Sequence, residues 1–330
     1  MKYSQTFRVG ALVTTAIAVA SIYTLVFARE DTESSTKFVR FNEKKTGEAT
    51  LDTAIVTYRN KGGVTVHLVG AVHIGERSYY DALEKAFDTY DAVLYELVKE
   101  KGVDVKELQG KRRKSTGGAF DAVTILQRWL TDTLKLEFQL DRIDYTRDNF
   151  IHADLDLETF VSLQNERGES LLVLMLRAMK HSLERRSRGE KVKEVTLVDL
   201  VRIFLSKDRT REMKLVMARQ MQDIEAQIAG IEGPNGSVIL TERNKAAMRV
   251  LKKSLGSGKK NIGIFYGAAH MPDLETRLRG LGFKKTGTAW HVAWDMTEST
   301  APSVPKKAKK PKKAPADAKN RPPVKSKPSQ

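Results

Sequence analysis

Apolar positions fall into three regimes along this chain. At its start, residues 9–28 (VGALVTTAIAVASIYTLVFA) carry no charge, with Lys2 and Arg8 before them and Arg29 behind. A run of that length suits a helix crossing a bilayer. The other reading is a secretory signal peptide ending at Val26-Phe27-Ala28. Either one expects a cytoplasmic N-terminus and a body on the extracytoplasmic side, membrane-anchored or secreted. Residues 1–28 are thus a membrane anchor or signal peptide, and 29–48 a polar linker rich in Glu, Thr, Ser and Lys, with little to bury.

Strand patterns come next. Leu51 to Tyr58 and Val64 to Val69 predict a hairpin, with Asn60-Lys61-Gly62-Gly63 as its turn. Ser78 to Thr89 predicts a helix, with Tyr79, Leu83, Ala86 and Phe87 on its apolar face. Ala92 to Leu97 predicts a short buried strand, and 99–118 a polar loop. From about Ala119 to Leu255 the periodicity turns helical. Helices are predicted over 121–134, from Asp154, and over 170–184, 195–205, 211–230 and 237–255. Met213, Met217 and Met221 share one helix face and read as core packing. Strand patterning returns at Ile262–Tyr266, then a helix over 273–281 and a last strand near Thr288–Trp294. Neither end has enough strands for a sheet of its own. The expected fold is therefore α/β: a central mixed β-sheet built from N- and C-terminal βα units, with a large helical insert, over 49–297.

Composition sharpens this outline in two places. There is no cysteine, which excludes a disulfide framework and any thiolate site. Net charge is +16, but residues 301–330 alone hold nine Lys and one Arg against one Asp. The basic character belongs largely to a Lys/Pro/Ala-rich tail, 298–330, expected to be disordered and able to touch anionic lipid, wall polymer or nucleic acid non-specifically.

The chemistry concentrates in a repeated pattern. Gly-Ala-Val-His (70–73) and Gly-Ala-Ala-His (267–270) each follow an apolar strand and precede a helix. Functional groups in open α/β sheets gather beyond the carboxyl ends of strands, where His73 and His270 are expected. Gly70 and Gly267 allow close backbone approach. Glu96 ends the Ala92–Leu97 strand, where a carboxylate needs a partner. Two imidazoles and a carboxylate at one sheet edge make a candidate divalent-metal site, for Mn, Co, Zn or Fe. No His-Glu-x-x-His is present, so this is not a helix-borne zinc-protease site. His67 and His152 read as structural, with His152, beside Asp144 and Asp154, an outside candidate for the site.

The set GAVH (70–73), YEL (95–97), TERN (241–244) and GAAH (267–270) resembles the TraB/GumN family, related to the Tiki proteases and to a wider group with the erythromycin-esterase and ChaN-like proteins. The match covers roughly 51–295. The resemblance implies His73 and His270 as site histidines, Glu96 as site carboxylate and Arg243 as an anion or transition-state contact. Ala71 stands where the family often has Thr. A metal-dependent hydrolase, in one branch a peptidase, follows as an expectation. Metal held by His73, His270 and Glu96 would activate water, or Glu96 would act as general base, and Arg243 would stabilise an oxyanion. The substrate would be a peptide or small molecule. Two other classes stay open: a non-catalytic binder of a peptide or surface ligand, and a haem- or iron-binding protein of ChaN-like type. Turnover, binding without turnover, and a Soret band separate the three.

Overall fold

The computed structural model describes residues 36–108, 130–190, 195–222 and 235–298, together with 228, 230, 232 and 233. The expected helix over 121–134 is described only from residue 130, and the 9–28 segment and almost all of the basic tail lie outside the described residues.

The predicted hairpin forms as β2 (Ala49–Arg59) and β3 (Thr65–Ala71), antiparallel with Ile55 opposite Val69. Before it, β1 (Val39–Glu43) pairs with the first half of β2. The polar linker thus ends in an edge strand. Phe38 and Val39 are buried there, and these two apolar residues are what the expectation of little to bury overlooked. β4 (Ile74–Gly75) forms a small separate ribbon with β6 (Glu137–Phe138). Helix α1 (Arg77–Phe87) buries Tyr79, Tyr80, Leu83 and Phe87. β5 (Ala92–Tyr95) follows, and β7 (Phe150–His152) pairs with it in parallel.

The insert contributes α2 (Leu157–Arg167), α3 (Leu171–Ser187), α4 (Leu197–Leu205) and α5 (Arg209–Met221). Asp156, rather than Asp154, caps α2 by accepting from the Thr159 amide. A π-helical turn, Val238–Glu242, leads into α6 (Arg243–Gly256). The chain closes with β8 (Asn261–Gly267), a 3-10 turn over Ala268–His270, α7 (Met271–Gly280) and β9 (Lys284–Asp295). Met213, Met217 and Met221 pack against the core, as their spacing predicts.

Among the described residues, seven of the strands make one mixed sheet, ordered β1-β2-β3-β8-β5-β7, with β9 along the other edge of β2. The two ends of the chain share this sheet, as expected. β8, from the C-terminal unit, lies between β3 and β5 and is parallel to both. Alternation along each strand then splits the core into two layers. Leu51, Ile55, Val69, Val93 and Phe265 face α1 and part of α5. Val56, Leu68, Leu94, Ile264 and Tyr266 face α6 and α7. A sheet covered on both faces requires nearly continuous apolar strands, which is why β5 (Ala-Val-Leu-Tyr) reads as an unbroken run.

His67 is a sheet-face residue, as expected. Its Nδ1 lies 3.0 Å from Thr57 Oγ1 and its Nε2 2.8 Å from Asn261 Oδ1. Its ring stacks on Tyr90 at 4.5 Å. Burial outweighs the Asn261 contact and lowers its pKa from 6.5. The folded state therefore binds fewer protons at this site than the unfolded chain. Its contribution to stability is complete above pH 6.5 and is lost as pH falls from there through the folded pKa. Urea unfolding across that range should show a smaller loss of stability on acidification in His67→Gln than in wild type.

Tyr90 also covers Gly263: a Cβ there would lie 2.6 Å from the Tyr90 ring. Gly263→Ala should destabilise the domain by about 1–3 kcal/mol, measured by thermal or urea unfolding, and Tyr90→Ala should relieve the clash.

Candidate functional site

The parallel pairing of β3 with β8 decides where the two Gly-x-x-His units go. Ala71 lies opposite Gly267, so the strands leave the sheet side by side. Neither glycine of the repeat is needed for a left-handed backbone, since neither has a positive φ. They serve close approach. A Cβ on Gly70 would sit 3.4 Å from the Ala54 carbonyl and from the Met271 side chain. A Cβ on Gly267 would sit 3.4 Å from Glu96 Oε2 and 3.8 Å from both His73 Nε2 and His270 Cδ2. Gly267 is thus the floor over which the three predicted site residues meet.

Glu96 lies just beyond β5, and its amide donates to the Phe265 carbonyl at 3.1 Å, which sets it against β8. Its Oε2 accepts from the Gly267 amide at 2.6 Å. Its Oε1 accepts from Arg243 Nη2 at 2.7 Å and faces His270 Nε2 at 3.4 Å. Burial by itself pushes the carboxyl up. The Arg243 guanidinium, then His270 and His73, overcome that and hold it well below the ordinary 4.5.

Arg243 opens α6 and is held from several sides. Its Nε and Nη2 donate to the two oxygens of Asp154, at 3.0 and 2.6 Å, and Nη1 reaches the Ile239 carbonyl at 3.5 Å. The Asp154 side chain is fully buried. Burial lowers the guanidinium pKa, but Glu96 and Asp154 outweigh it, and the net shift is upward. The π-helical turn before Arg243 is clamped in its turn. Glu169 accepts from the Val238 amide at 2.7 Å, and Glu232 accepts from Ser237 Oγ and Thr241 Oγ1 at 2.6 and 2.5 Å. Arg243 therefore directs donors from all three of its nitrogens to two internal carboxylates and a carbonyl. Arg243, expected as an anion or transition-state contact, here holds the Glu96 and Asp154 carboxylates.

His270 is buried and its orientation is set by Asn244. The Asn244 amide nitrogen donates to the His270 carbonyl at 3.3 Å and to Asp273 at 2.7 Å. Its Oδ1 is left to accept from His270 Nδ1 at 2.7 Å. This places the Nδ1 proton and turns Nε2 toward Glu96. The Tyr266 ring meets the imidazole edge-on at 5.2 Å. His73, by contrast, is exposed, and its carbonyl accepts from the Gln139 amide at 2.9 Å. His152 stays out of the site: its Nε2 lies 2.7 Å from the Leu97 carbonyl.

One expectation needs correction. Among the described residues there is no group of three or more His, Asp or Glu side chains able to hold a metal ion, so His73, His270 and Glu96 do not make the expected metal site. The physical reason is at Glu96. Both of its oxygens already accept hydrogen bonds, and one does so from a guanidinium. No helix among the described residues is long and apolar enough to cross a membrane; the 9–28 segment, expected to be an anchor or signal peptide, lies outside them.

Asp154 and Asn244 are the site residues that sequence reasoning missed. Asp154 reads locally as a helix-start acid, although Asp156 two residues on is the better cap. Asn244 is the last residue of the TERN stretch, and a helix-interior Asn beside an Arg was the available signal. Comparisons with family models, curated proteins and solved structures find no match for this chain.

Removing the guanidinium leaves Asp154 and Glu96 buried without their cation. Arg243→Met should cost about 3–5 kcal/mol, and Arg243→Lys should not restore the bidentate pair. Both are read by chemical unfolding. Glu96 also predicts a pH signature. A carboxyl whose pKa is depressed on folding stabilises above the ordinary value of 4.5 and loses that contribution as pH falls through the folded pKa. Acid unfolding should be less steep below pH 4.5 in Glu96→Gln than in wild type.

Proposed function

We propose that this chain is a hydrolase of the TraB/GumN type, acting on peptide bonds and using its own acid–base groups. The observation that carries the reading is the meeting of both Gly-x-x-His exits with the Glu96 carboxylate over Gly267, at the carboxyl ends of adjacent parallel strands. That is where open α/β sheets place their chemistry. The four stretches that carry the resemblance, distant in sequence, also gather there.

In this reading His73 is the working base. It is the exposed imidazole, while Glu96, Arg243, Asp154 and His270 are buried beneath it. It takes a proton from water as the water oxygen attacks the acyl carbon, and returns a proton to the departing amine. Glu96, kept ionised by Arg243, stabilises the imidazolium formed in between. Arg243, Asp154 and Asn244 act by positioning.

A second reading, a non-catalytic binder of extended peptides, is favoured by one observation. Arg243 is committed to internal partners, and no cation aimed at an oxyanion is evident among the described side chains of the site. Hydrolysis of an internally quenched peptide library separates the two. The hydrolase reading expects turnover that drops about 10²–10⁴-fold in His73→Ala, with the fold intact by circular dichroism. Peptides retained but not cleaved would replace it with the binder. Peptides neither cleaved nor retained by folded protein would sink both.

A further inference from the structure

Helices α3 and α4 carry apolar side chains that the core does not use. On α3, Leu172, Met175, Leu176, Met179 and Leu183 recur at helical spacing, and all are exposed. α4 has the sequence LVDLVRIFL and no buried residue. Leu197 is 80% exposed, Phe204 69% and Leu205 73%. The helix is nevertheless well terminated, because Thr196 and Asp199 form a reciprocal capping box. A stable, capped helix with its large apolar side chains in water is arranged to be covered by something else.

The charge around these helices says what covers them. Residues 171–211 contain eleven Lys and Arg against five Asp and Glu. Lys180, Arg186, Arg188, Arg202, Lys207 and Arg209 are exposed within that stretch. The Arg209 guanidinium lies 5.3 Å from the Phe204 ring centroid, at the edge of the apolar face. Exposed apolar side chains interleaved with exposed cations, two of them (Lys180 and Arg188) paired with Glu184 and Glu190, are the pattern of a helix lying in a bilayer interface, where cations meet lipid headgroups and apolar side chains enter the acyl boundary. A second copy would bring a like-charged surface against this one, which disfavours it.

We propose that α3 and α4 each present a face that docks on an anionic lipid bilayer, lying in its interface without crossing it. The inference does not rest on the hydrolase reading.

Because the chain has no cysteine, one introduced thiol can be labelled alone in the full-length protein. Met179→Cys and Phe204→Cys would carry an environment-sensitive fluorophore, with Lys61→Cys in the β2–β3 turn as the control. Each is mixed with phosphatidylcholine vesicles with or without phosphatidylglycerol. The proposal expects the labels at 179 and 204 to shift to the blue and to be quenched by lipid-borne nitroxides. This should occur only with anionic vesicles and weaken with salt, while the label at 61 does not respond. Leu200→Glu/Phe204→Glu should lower partitioning of the Met179-labelled chain by about ten-fold or more, with circular dichroism unchanged.

Failure to bind anionic vesicles would overturn the proposal. So would labels at 179 and 204 that stay in water on vesicles the chain does bind, since another segment would then be the anchor. An apolar environment at those labels without vesicles would also overturn it: one growing with protein concentration would assign the surface to a second copy, and one independent of concentration to another part of this chain.

Discussion

One buried guanidinium organises the site. Arg243 holds Asp154 and Glu96 at once, and so joins three parts of the chain: the start of α6, the segment after β7 and the exit of β5. Taking three charges out of water is costly, and only close pairing offsets it. The arrangement therefore has little freedom. Glu96 cannot leave without stranding charge, and Arg243 cannot turn outward without stranding two carboxylates. The π-helical turn before Arg243, itself held by Glu169 and Glu232, is the backbone irregularity that aims the side chain inward.

Around that fixed point the imidazoles take different parts. His270 is locked by Asn244 and packed against Tyr266, while His73 meets solvent. A repeated sequence unit has thus become one interior and one exterior residue. The asymmetry arises in the chain just beyond each unit. After His73 the backbone runs into the β4–β6 ribbon, whereas after His270 it enters α7 directly and packs Met271 into the core. Equal motifs did not produce equal environments.

The insert supplies both structure and surface. Its first part delivers Asp154 to the site, and α5 returns Leu215 and Ala218 to the core. Between them α3 and α4 stand with apolar faces outward. The polarity rule that shapes the two-sided sheet stops applying there, and local charge rather than burial tells the two regimes apart.

Much of the fold was legible in the residues. Apolar runs ending in Asn-Lys-Gly-Gly specify a hairpin, and the helical period of Tyr79, Leu83 and Phe87 specifies α1, because local geometry makes those patterns one-sided. The shortage of strands at either end required a shared sheet. The Gly-x-x-His repeat and Glu96 at a strand end marked residues that the fold brings together at one sheet edge. Strand order, by contrast, depends on which edges meet. Only the fold puts β8 between β3 and β5, brings Phe38 and Val39 to the edge of β2, and selects Asp154 over Asp156 for Arg243. No local pattern distinguishes two acids two residues apart. A buried guanidinium does, because only one of them can reach it when the sheet has closed.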